Sequence, residues 1–353
     1  MLYKNCRVNG ETVDIETKDG VITAVGNIEG EGVDLENQKV YPGLFDIHTH
    51  GVYGFDTMDG NHLSEMADFL AKNGTTSFLP TTMTMAVEDI ENVTNQKLPR
   101  PFGANIAGFH VEGPFINKKY KGAQNEKHIK APDLEMFKAL KNIKMVTLAP
   151  ELDGAMEFIK NCDEVVSLGH TDASYNCALS AIENGALCIT HTFNAMAPLH
   201  HREPGAIGAA IDKGIYVQVI ADGVHLHPSI VRMLYKLFGK ERMILISDSM
   251  CATGLSDGEY TLGGQPIRVE NAVAKTASGA IAGSTSVLLD CVKKAIEFGI
   301  PEEDAFYMAS KTPAKLLGMK KGKIEVGYDA EFIAVDEKLH LKNCIIRGEI
   351  IKL

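Results

Sequence analysis

The chain has 353 residues, 45% of them hydrophobic and 23% charged, which is enough to bury a large core and to build one large domain and a small one. Its formal net charge of −11 argues against a broad nucleic-acid-binding surface, although a small anionic ligand needs only a local cationic pocket. No apolar run approaches the ~18 residues of a membrane helix, and the first residues lack the apolar core of a signal peptide, so we expect no membrane partner.

The seven cysteines are scattered, odd in number and without C-x-x-C spacing. This usage is typical of a protein in a reducing compartment, so we expect a cytoplasmic protein whose thiols are mostly buried and inert. Cys251 follows Asp248 closely, but we interpret it as structural.

Both ends of the chain alternate short apolar runs with turn residues. At the first end, the runs and turns predict strands over residues 2–8, 13–16 and 21–25. At the second end, they predict strands over residues 324–326, 331–335 and 344–351. Neither set is large enough to fold alone, so we predict one small β-domain built from residues 1–44 and 320–353, with residues 45–319 inserted between its halves.

The middle of the chain repeats amphipathic stretches that each stop at a glycine before the next apolar run. The spacing i, i+3, i+4, i+7 predicts helices that end near Gly74, Gly185, Gly239 and Gly299. A helix, a glycine stop and a buried strand are typical of βα units with a parallel sheet. Seven or eight such units in about 275 residues favour an α/β fold, a (β/α)8 TIM-like barrel, with the small domain as a β-sandwich.

Metal-ligand side chains recur at the ends of the predicted strands. His48 and His50 are two residues apart in a strand, so they project to the same side. Glu112, His170, His191 and Asp248 each follow a later apolar run. The carboxyl ends of barrel strands converge on one mouth, so these six side chains can meet although they span 200 residues of chain.

Nitrogen and oxygen ligands without a thiolate suit Zn²⁺, Fe²⁺, Mn²⁺ or Co²⁺, and we predict a divalent metal site with zinc as the first candidate. The number of ions, one or two per subunit, stays open. Glu112 is a terminal or bridging ligand, and His48, His50 and Asp248 would complete a second position. Asp248 also suits an acid/base role, because a carboxylate that faces a metal-activated water can take its proton and pass it to a leaving group.

Other polar groups near the strand ends are candidates for substrate recognition. Asn194 and Ala195 follow His191, and Arg202 lies in a loop where its guanidinium could bind phosphate or carboxylate through two parallel hydrogen bonds. The glycine-rich stretch 279–285 can bring its backbone close to a ligand.

Several strings of residues together resemble the N-acetylglucosamine-6-phosphate deacetylases of the amidohydrolase superfamily. The strings, which cover nearly the whole chain, are Pro42-Gly43, His48-Thr49-His50-Gly51, Pro80-Thr81-Thr82, His110-Val111-Glu112-Gly113-Pro114-Phe115, Gly169-His170-Thr171, His191-Thr192-Phe193-Asn194-Ala195-Met196, Arg202-Glu203-Pro204-Gly205, Asp222-Gly223-Val224-His225, Ser247-Asp248 and Ile281-Ala282-Gly283-Ser284. Those around Glu112 and His191 are highly specific, whereas His-x-His alone marks only the superfamily.

The resemblance implies deacetylation of N-acetylglucosamine 6-phosphate in amino-sugar catabolism. It implies a metal site at Glu112, His170 and His191, with Asp248 as acid/base. It also implies a homodimer, because in such enzymes the arginine that corresponds to Arg202 reaches the phosphate bound by the neighbouring subunit. The substrate contacts that it implies are Ala123, Gln124, Asn194, Ala195, Arg202, Asp222, Gly223, Val224, His225, Ile281, Ala282 and Gly283.

One residue departs from the family pattern. Gln124 stands where the family usually has histidine, and this residue contacts the substrate in relatives. An amide still donates and accepts hydrogen bonds but carries no positive charge, so the preferred sugar could be the N-acetylgalactosamine epimer instead. Two further alternatives stay open: an amidohydrolase that acts on a cyclic amide or as a deaminase, and a metal-binding barrel that senses sugar phosphates without turnover.

Overall fold

The computed structural model describes residues 1–100 and 102–353 and has a mixed α/β fold. The strands are β1 (Leu2–Val8), β2 (Glu11–Lys18), β3 (Val21–Gly26), β4 (Val33–Asp34), β5 (Lys39–Pro42), β6 (Leu44–Thr49), β7 (Gly51–Val52), β8 (Phe55–Asp56), β9 (Thr75–Pro80), β10 (Asn105–Ile106), β11 (Phe109–Glu112), β12 (Ile143–Leu148), β13 (Val165–Leu168), β14 (Cys188–Ile189), β15 (Tyr216–Ile220), β16 (Met243–Ile246), β17 (Gly258–Leu262), β18 (Gln265–Glu270), β19 (Val273–Thr276), β20 (Phe332–Val335), β21 (Leu341–Ile346) and β22 (Glu349–Ile351).

Helices alternate with the strands through the middle of the chain. They are α1 (Leu63–Lys72), α2 (Val87–Thr94), α3 (Leu134–Ala139), α4 (Ala155–Asn161), α5 (Tyr175–Glu183), α6 (Gly205–Lys213), α7 (Pro228–Phe238), α8 (Leu288–Glu297), α9 (Glu302–Met308) and α10 (Lys311–Leu316). Short 3-10 helices cover Thr57–Asp59, Lys118–Tyr120 and Glu126–His128.

A curled parallel sheet forms the centre of the molecule. Strands β11 to β16 lie side by side in chain order, and β6, β9 and β10 form a second parallel group. Parallel bridges between Thr81 and His110 and between Thr49 and Ser249 join the strand ends of the two groups. The carboxyl ends of these strands therefore face one region, which is where parallel α/β sheets carry their functional groups.

Helix α7 illustrates why these segments become helices. Pro228 occupies its first turn, where a missing N–H costs nothing, and the side chain of His227 accepts a hydrogen bond from Ser229 N. Val231, Leu234 and Phe238 form its buried stripe. Gly239, at φ +62° and ψ 177°, ends the helix at the position that the sequence pattern predicted, in a conformation that glycine adopts readily.

Polar side chains fill part of the interior of the curled sheet. His110 Nε2 lies 2.7 Å from Thr147 Oγ1, and Thr147 Oγ1 lies 2.7 Å from Thr190 Oγ1. Ser167 Oγ continues this chain, 2.6 Å from Thr190 Oγ1. All four side chains are fully buried. Because buried hydroxyls and imidazoles need partners, this network fixes their orientation beneath the strand ends.

Strands from both ends of the chain share one further sheet, in the order β22-β21-β20-β5-β1-β2-β3, with β4 paired to β1. Its core includes Tyr3, Ile15, Ile22, Phe332 and Ile345. The predicted strand over 2–8 matches β1, whereas β2 and β3 extend beyond the predicted bounds.

Two predictions at the second end were wrong in detail. Residues 324–326 are not a strand, because this segment enters a turn that Tyr328 N closes on Glu325 O. The predicted strand over 344–351 is a hairpin of β21 and β22, because Arg347 and Gly348 both have φ above +50°. That pair of positive φ values is what a two-residue type I′ hairpin turn requires.

Glu331 ties the terminal sheet to the parallel strands. Its Oε2 accepts hydrogen bonds from Thr76 Oγ1 at 3.1 Å and from Ser77 Oγ at 2.8 Å, both on β9. Its Oε1 contacts Lys321 Nζ and Asn105 Nδ2. The carboxylate is 4% exposed, so its charge is compensated inside the protein.

Strands β17, β18 and β19 form a three-stranded antiparallel sheet that the sequence analysis did not predict. Its buried face, with Leu262, Ile267 and Val269, packs beside Met250. All seven cysteines are free thiols, and five are buried, as predicted. In the part of the chain that the structure describes, no helix combines the length and apolarity needed to cross a bilayer.

Candidate metal centre and substrate cavity

Four histidine rings and two carboxylates meet at the carboxyl ends of the parallel strands. His48 is on β6 and Glu112 is the last residue of β11, while His170 and His191 follow β13 and β14 by two residues each. His50 and Asp248 come just after β6 and β16. All six predicted ligands are buried; five form two groups with the spacing of metal ligands, and Asp248 lies within 3.4 Å of the His48 and His50 rings.

The cluster consists of two groups that share Glu112. Its Oε1 lies 3.1 Å from His191 Nε2 and 3.3 Å from the Nε2 atoms of both His170 and His48. Its Oε2 lies 3.4 Å from His50 Nε2. Ligand atoms held at about 2.1 Å from one tetrahedral ion stand about 3.4 Å apart, so both groups have the spacing of a metal site.

Asp248 belongs to the side of the cluster formed by His48 and His50. Its Oδ1 lies 3.3 Å from His50 Nε2 and 3.4 Å from His48 Nε2, and it is buried without a hydrogen-bond donor among the described residues. A buried carboxylate oxygen without a donor is costly unless a cation faces it.

The ring nitrogens show which tautomers the site needs. Nδ1 of His50 lies 3.2 Å from Thr81 O and Nδ1 of His170 lies 2.8 Å from Tyr120 O. A carbonyl only accepts, so each Nδ1 carries a proton and Nε2 is the ring nitrogen that faces the cluster. Nε2 of His170 and Nε2 of His191 are only 3.1 Å apart. Two ring nitrogens that converge at this distance have the spacing of ligands to one divalent cation.

The carboxylates are held in their charged forms. Burial alone would raise the pKa of Glu112, but the facing His48 and His170 lower it well below its ordinary range. Burial likewise opposes ionisation of Asp248, and His48 and His50 outweigh it and lower the pKa of this side chain to about 2. Asp248 is therefore ionised at neutral pH, as a proton acceptor must be.

The backbone is strained at three of the six positions. His170, His191 and Asp248 have φ of +48°, +26° and +49°. A non-glycine residue in this region costs of the order of 1 kcal/mol or more, and such conformations cluster at functional sites.

A cavity of about 290 Å³ opens above the cluster. Seven of the predicted substrate contacts line it, namely Ala123, Gln124, Asn194, Ala195, His225, Ile281 and Gly283. Among the described residues, no lysine or arginine lines the cavity. The described wall thus presents metal-ligand and hydrogen-bonding groups but no lysine or arginine for a phosphate.

The other predicted contacts lie outside the cavity wall. Arg202 is exposed and its Nη1 lies 2.7 Å from His201 Nε2. Ala282 is fully buried beside Met250. Gly223 and Val224 lie on a turn in which Asp222 Oδ1 accepts from Val224 N at 2.9 Å.

The Asp222 carboxylate also orients one wall residue. Asp222 Oδ2 lies 2.7 Å from Nδ1 of His225. Burial would lower the pKa of His225, but this hydrogen bond outweighs it and raises the pKa. The Nε2 edge of His225 is thereby presented as a donor.

The sequence analysis missed several wall residues, namely Met83, Gly122, Phe193 and Leu262, whereas the wall residue Ala280 lies in the predicted stretch 279–285. The signal for Leu262 was present: Gly263-Gly264 between two alternating runs predicts a hairpin. It also missed Gln218, whose Oε1 lies 3.0 Å from Nδ1 of His48 and 3.3 Å from His191 N. A glutamine in an otherwise apolar strand, 216–220, was the signal for this contact.

Comparison with known proteins identifies the family of the chain. The pattern of the Amidohydrolase family matches residues 40–351. The chain belongs to the amidohydrolase family. A similar curated relative of this amidohydrolase is the N-acetylglucosamine-6-phosphate deacetylase of Bacillus subtilis (strain 168), 39% identical over 88% of this chain and 83% of the relative.

Two further similarities concern the sugar. The N-acetylgalactosamine-6-phosphate deacetylase of Escherichia coli O157:H7 is 34% identical to this amidohydrolase, over 94% of this chain and 93% of the relative. The structure of a Mycobacterium smegmatis N-acetyl-D-glucosamine-6-phosphate deacetylase mutant in complex with N-acetyl-D-glucosamine-6-phosphate superimposes with a TM-score of 0.91 at 30% identity, covering 100% of this chain and 99% of that one.

Proposed function

We propose that this amidohydrolase removes the acetyl group of N-acetylglucosamine 6-phosphate, giving glucosamine 6-phosphate and acetate, as a step of amino-sugar catabolism in the cytoplasm. The observation that carries the proposal is the cluster around Glu112 at the base of a cavity lined by hydrogen-bonding groups. The name of the Bacillus subtilis relative supports the choice of substrate, and so does the solved structure of a relative with this sugar phosphate bound.

The cluster would hold one or two divalent ions, with zinc as the first candidate and iron, manganese or cobalt as alternatives. Glu112, His170 and His191 would bind one ion, and His48, His50, Glu112 and Asp248 a second. When bound, the ion polarises the amide carbonyl and lowers the pKa of water from 15.7 to about 7.

The side chains of the chain itself would move the protons. Asp248, ionised and facing the cluster, accepts a proton from the attacking water and delivers it to the departing nitrogen. His225, oriented by Asp222, donates a hydrogen bond to the oxygen that gains charge. Both roles require the amide to lie between Asp248 and His225, and both residues line the cavity.

The sugar phosphate would be held by the cavity wall and by a second subunit. Ala123, Asn194, Ala195, His225, Ile281 and Gly283, which line the cavity, would contact the sugar. The phosphate would bind Arg202 of the other subunit in a homodimer. The absence of lysine and arginine from the described wall of one subunit, together with the exposure of Arg202, supports this arrangement.

A second candidate substrate is N-acetylgalactosamine 6-phosphate, which differs only in the configuration of one hydroxyl. The relative from Escherichia coli O157:H7 favours it, because its name assigns it that sugar at 34% identity. Gln124, which lines the cavity, stands where the family usually has histidine, and this difference is the reason to ask which epimer the protein prefers.

For the architecture, we propose that the parallel strands and their helices form a (β/α)8 TIM-like barrel over residues 45–319. Residues 1–44 and 320–353 would form a small β-sandwich domain. Support comes from the parallel bridges between the two strand groups and from the sheet shared by both ends of the chain.

The decisive experiment is an assay of acetate release from protein loaded with one metal at a time. The substrates are N-acetylglucosamine 6-phosphate, its galactosamine epimer and both sugars without phosphate. We expect turnover of at least one phosphorylated sugar and a large loss of kcat/KM without the phosphate. Equal rates with and without phosphate would contradict the proposal and favour another amide substrate.

A further inference from the structure

Gln124 has both of its polar atoms committed to the protein. Its Oε1 accepts a hydrogen bond from Thr84 N at 2.7 Å, and its Nε2 donates to Glu112 Oε2 at 2.6 Å. A backbone N–H can only donate, so the atom that faces Thr84 is the oxygen and the atom that faces Glu112 is the NH₂ group. The side chain is 2% exposed, which leaves little of it for a ligand.

The carboxylate that Gln124 binds belongs to Glu112, which both histidine groups share. With Oε2 held by Gln124, Oε1 stays near His170 and His191, while Oε2 stays 3.4 Å from His50 Nε2. Without the Gln124 donor, the Glu112 carboxylate could rotate about its Cγ–Cδ bond. One of the two histidine groups would then lose its contact with a carboxylate oxygen. Groups that hydrogen-bond a metal ligand typically change metal affinity 10–100-fold when removed.

We propose that Gln124 is a positioning residue: its amide, anchored on Thr84, fixes the Glu112 carboxylate so that both histidine groups keep one of its oxygens. The choice between the glucosamine and galactosamine epimers then lies with other wall residues. The statement about the epimers rests on the proposed deacetylase function, whereas the statement about the Glu112 carboxylate concerns metal retention alone.

The test compares Gln124→Met, which keeps the volume and removes both hydrogen bonds, with Gln124→His, which keeps an N–H donor. The first measurement is the concentration of a chelator that removes half of each bound zinc ion from purified protein. We expect this concentration to fall about 10–100-fold in Gln124→Met and to recover at least in part in Gln124→His. Unchanged retention in Gln124→Met would overturn the positioning role.

The second measurement is the ratio of kcat/KM for the two epimers. We expect the ratio to stay within about twofold of the wild type in both variants, because fixing Glu112 acts on the amide and not on the sugar hydroxyls. A tenfold change in the ratio would overturn the proposal that Gln124 does not read the sugar. If the wild-type protein hydrolyses neither epimer, the proposed function fails while the metal measurement still decides the positioning role.

Asn125→Ala is the matched control. Asn125 is the next residue, its side chain accepts from Lys127 N at 3.2 Å, and it is not among the residues that line the cavity. Damage to the loop itself should appear in this variant as well. If Asn125→Ala lowers metal retention as much as Gln124→Met, the effect belongs to the loop and the proposal is overturned.

Discussion

Nδ1 of His48 lies 3.0 Å from Oε1 of Gln218, so a side chain from β15 orients a histidine on β6. The same oxygen lies 3.3 Å from the backbone N of His191. Gln218 thus links the His48–His50 group to the His170–His191 group from below. Outer hydrogen bonds of this kind fix the ring orientation and the tautomer of a metal-binding histidine.

Replacing Gln218 should therefore weaken metal binding. We expect Gln218→Met to lower zinc affinity about 10–100-fold, because Nδ1 of His48 loses its acceptor. Gln218→Glu keeps an acceptor oxygen beside Nδ1 of His48, so this variant should bind zinc more tightly than Gln218→Met. Competition with a fluorescent chelator measures both, and equal affinities for the two variants would contradict this role.

Asp248→Asn should abolish most of the turnover. An amide cannot accept the proton of the attacking water, and general acid–base groups contribute about 10²–10⁴-fold to rate. The readout is kcat for acetate release at metal content matched by elemental analysis. Asp163→Asn is the control and should leave kcat unchanged, because Asp163 is exposed and lies just before the amino end of β13, away from the cluster at the carboxyl ends. Near wild-type turnover in Asp248→Asn would remove this residue from the mechanism.

Mixed dimers can show which subunit supplies the arginine. Arg202→Met and Asp248→Asn homodimers should each be nearly inactive toward the phosphorylated sugar. If Arg202 serves the neighbouring site, a hybrid of the two variants contains one complete site. Mixing and reassembly should then restore up to about a quarter of wild-type activity per subunit, since random pairing makes half of the dimers hybrids. No recovery in verified hybrids would mean that Arg202 acts within its own subunit.

Glu331→Ala should destabilise the fold without touching the cavity. The change leaves Lys321, whose side chain is 12% exposed, with the partly exposed Asp329 as its ion-pair partner at 2.8 Å. Breaking one side of a buried pair costs about 3–5 kcal/mol, and the remaining pair should keep the loss toward the lower end of that range. Chemical denaturation gives the free energy of unfolding. Glu325→Ala is the matched control: its carboxylate is exposed beside Lys323, so the loss should be no more than about 1 kcal/mol.

The thiols should react slowly in the folded protein. Burial raises the pKa of Cys162 and of Cys188 to about 12, and that of Cys251 to about 11. The reactive thiolate is therefore scarce at pH 7.5. We expect iodoacetamide to leave acetate release intact and to label all seven cysteines only after denaturation. Rapid inactivation by labelling of Cys251, near Asp248, would contradict its structural interpretation.

Sequence patterns predicted the elements whose signals are local. The strand predicted over 2–8 is β1 to the residue, and helix α7 ends at Gly239. The metal-ligand cluster was predictable because strand-end residues in a parallel sheet must share one edge, so His170 and His191 could be paired without knowledge of their distance.

The remaining features depend on contacts that no local pattern encodes. The positive φ of Asp248 and the bond between Gln124 and Glu112 result from tertiary packing. The strand predicted over 324–326 failed because a turn satisfied its backbone hydrogen bonds instead. The three-stranded sheet β17–β19 was overlooked although its alternation and its Gly263-Gly264 turn were visible in the sequence.

Strand β5 pairs with β20, which is synthesised much later, so β5 lacks this neighbour for part of translation. Residues 39–42 leave the ribosome roughly 290 residues before residues 332–335, which at about 5–20 residues per second is roughly 15–60 s. For that interval β5 has an open edge where its later neighbour belongs. A nascent chain of this protein therefore offers a prolonged binding opportunity to chaperones that capture unpaired strands.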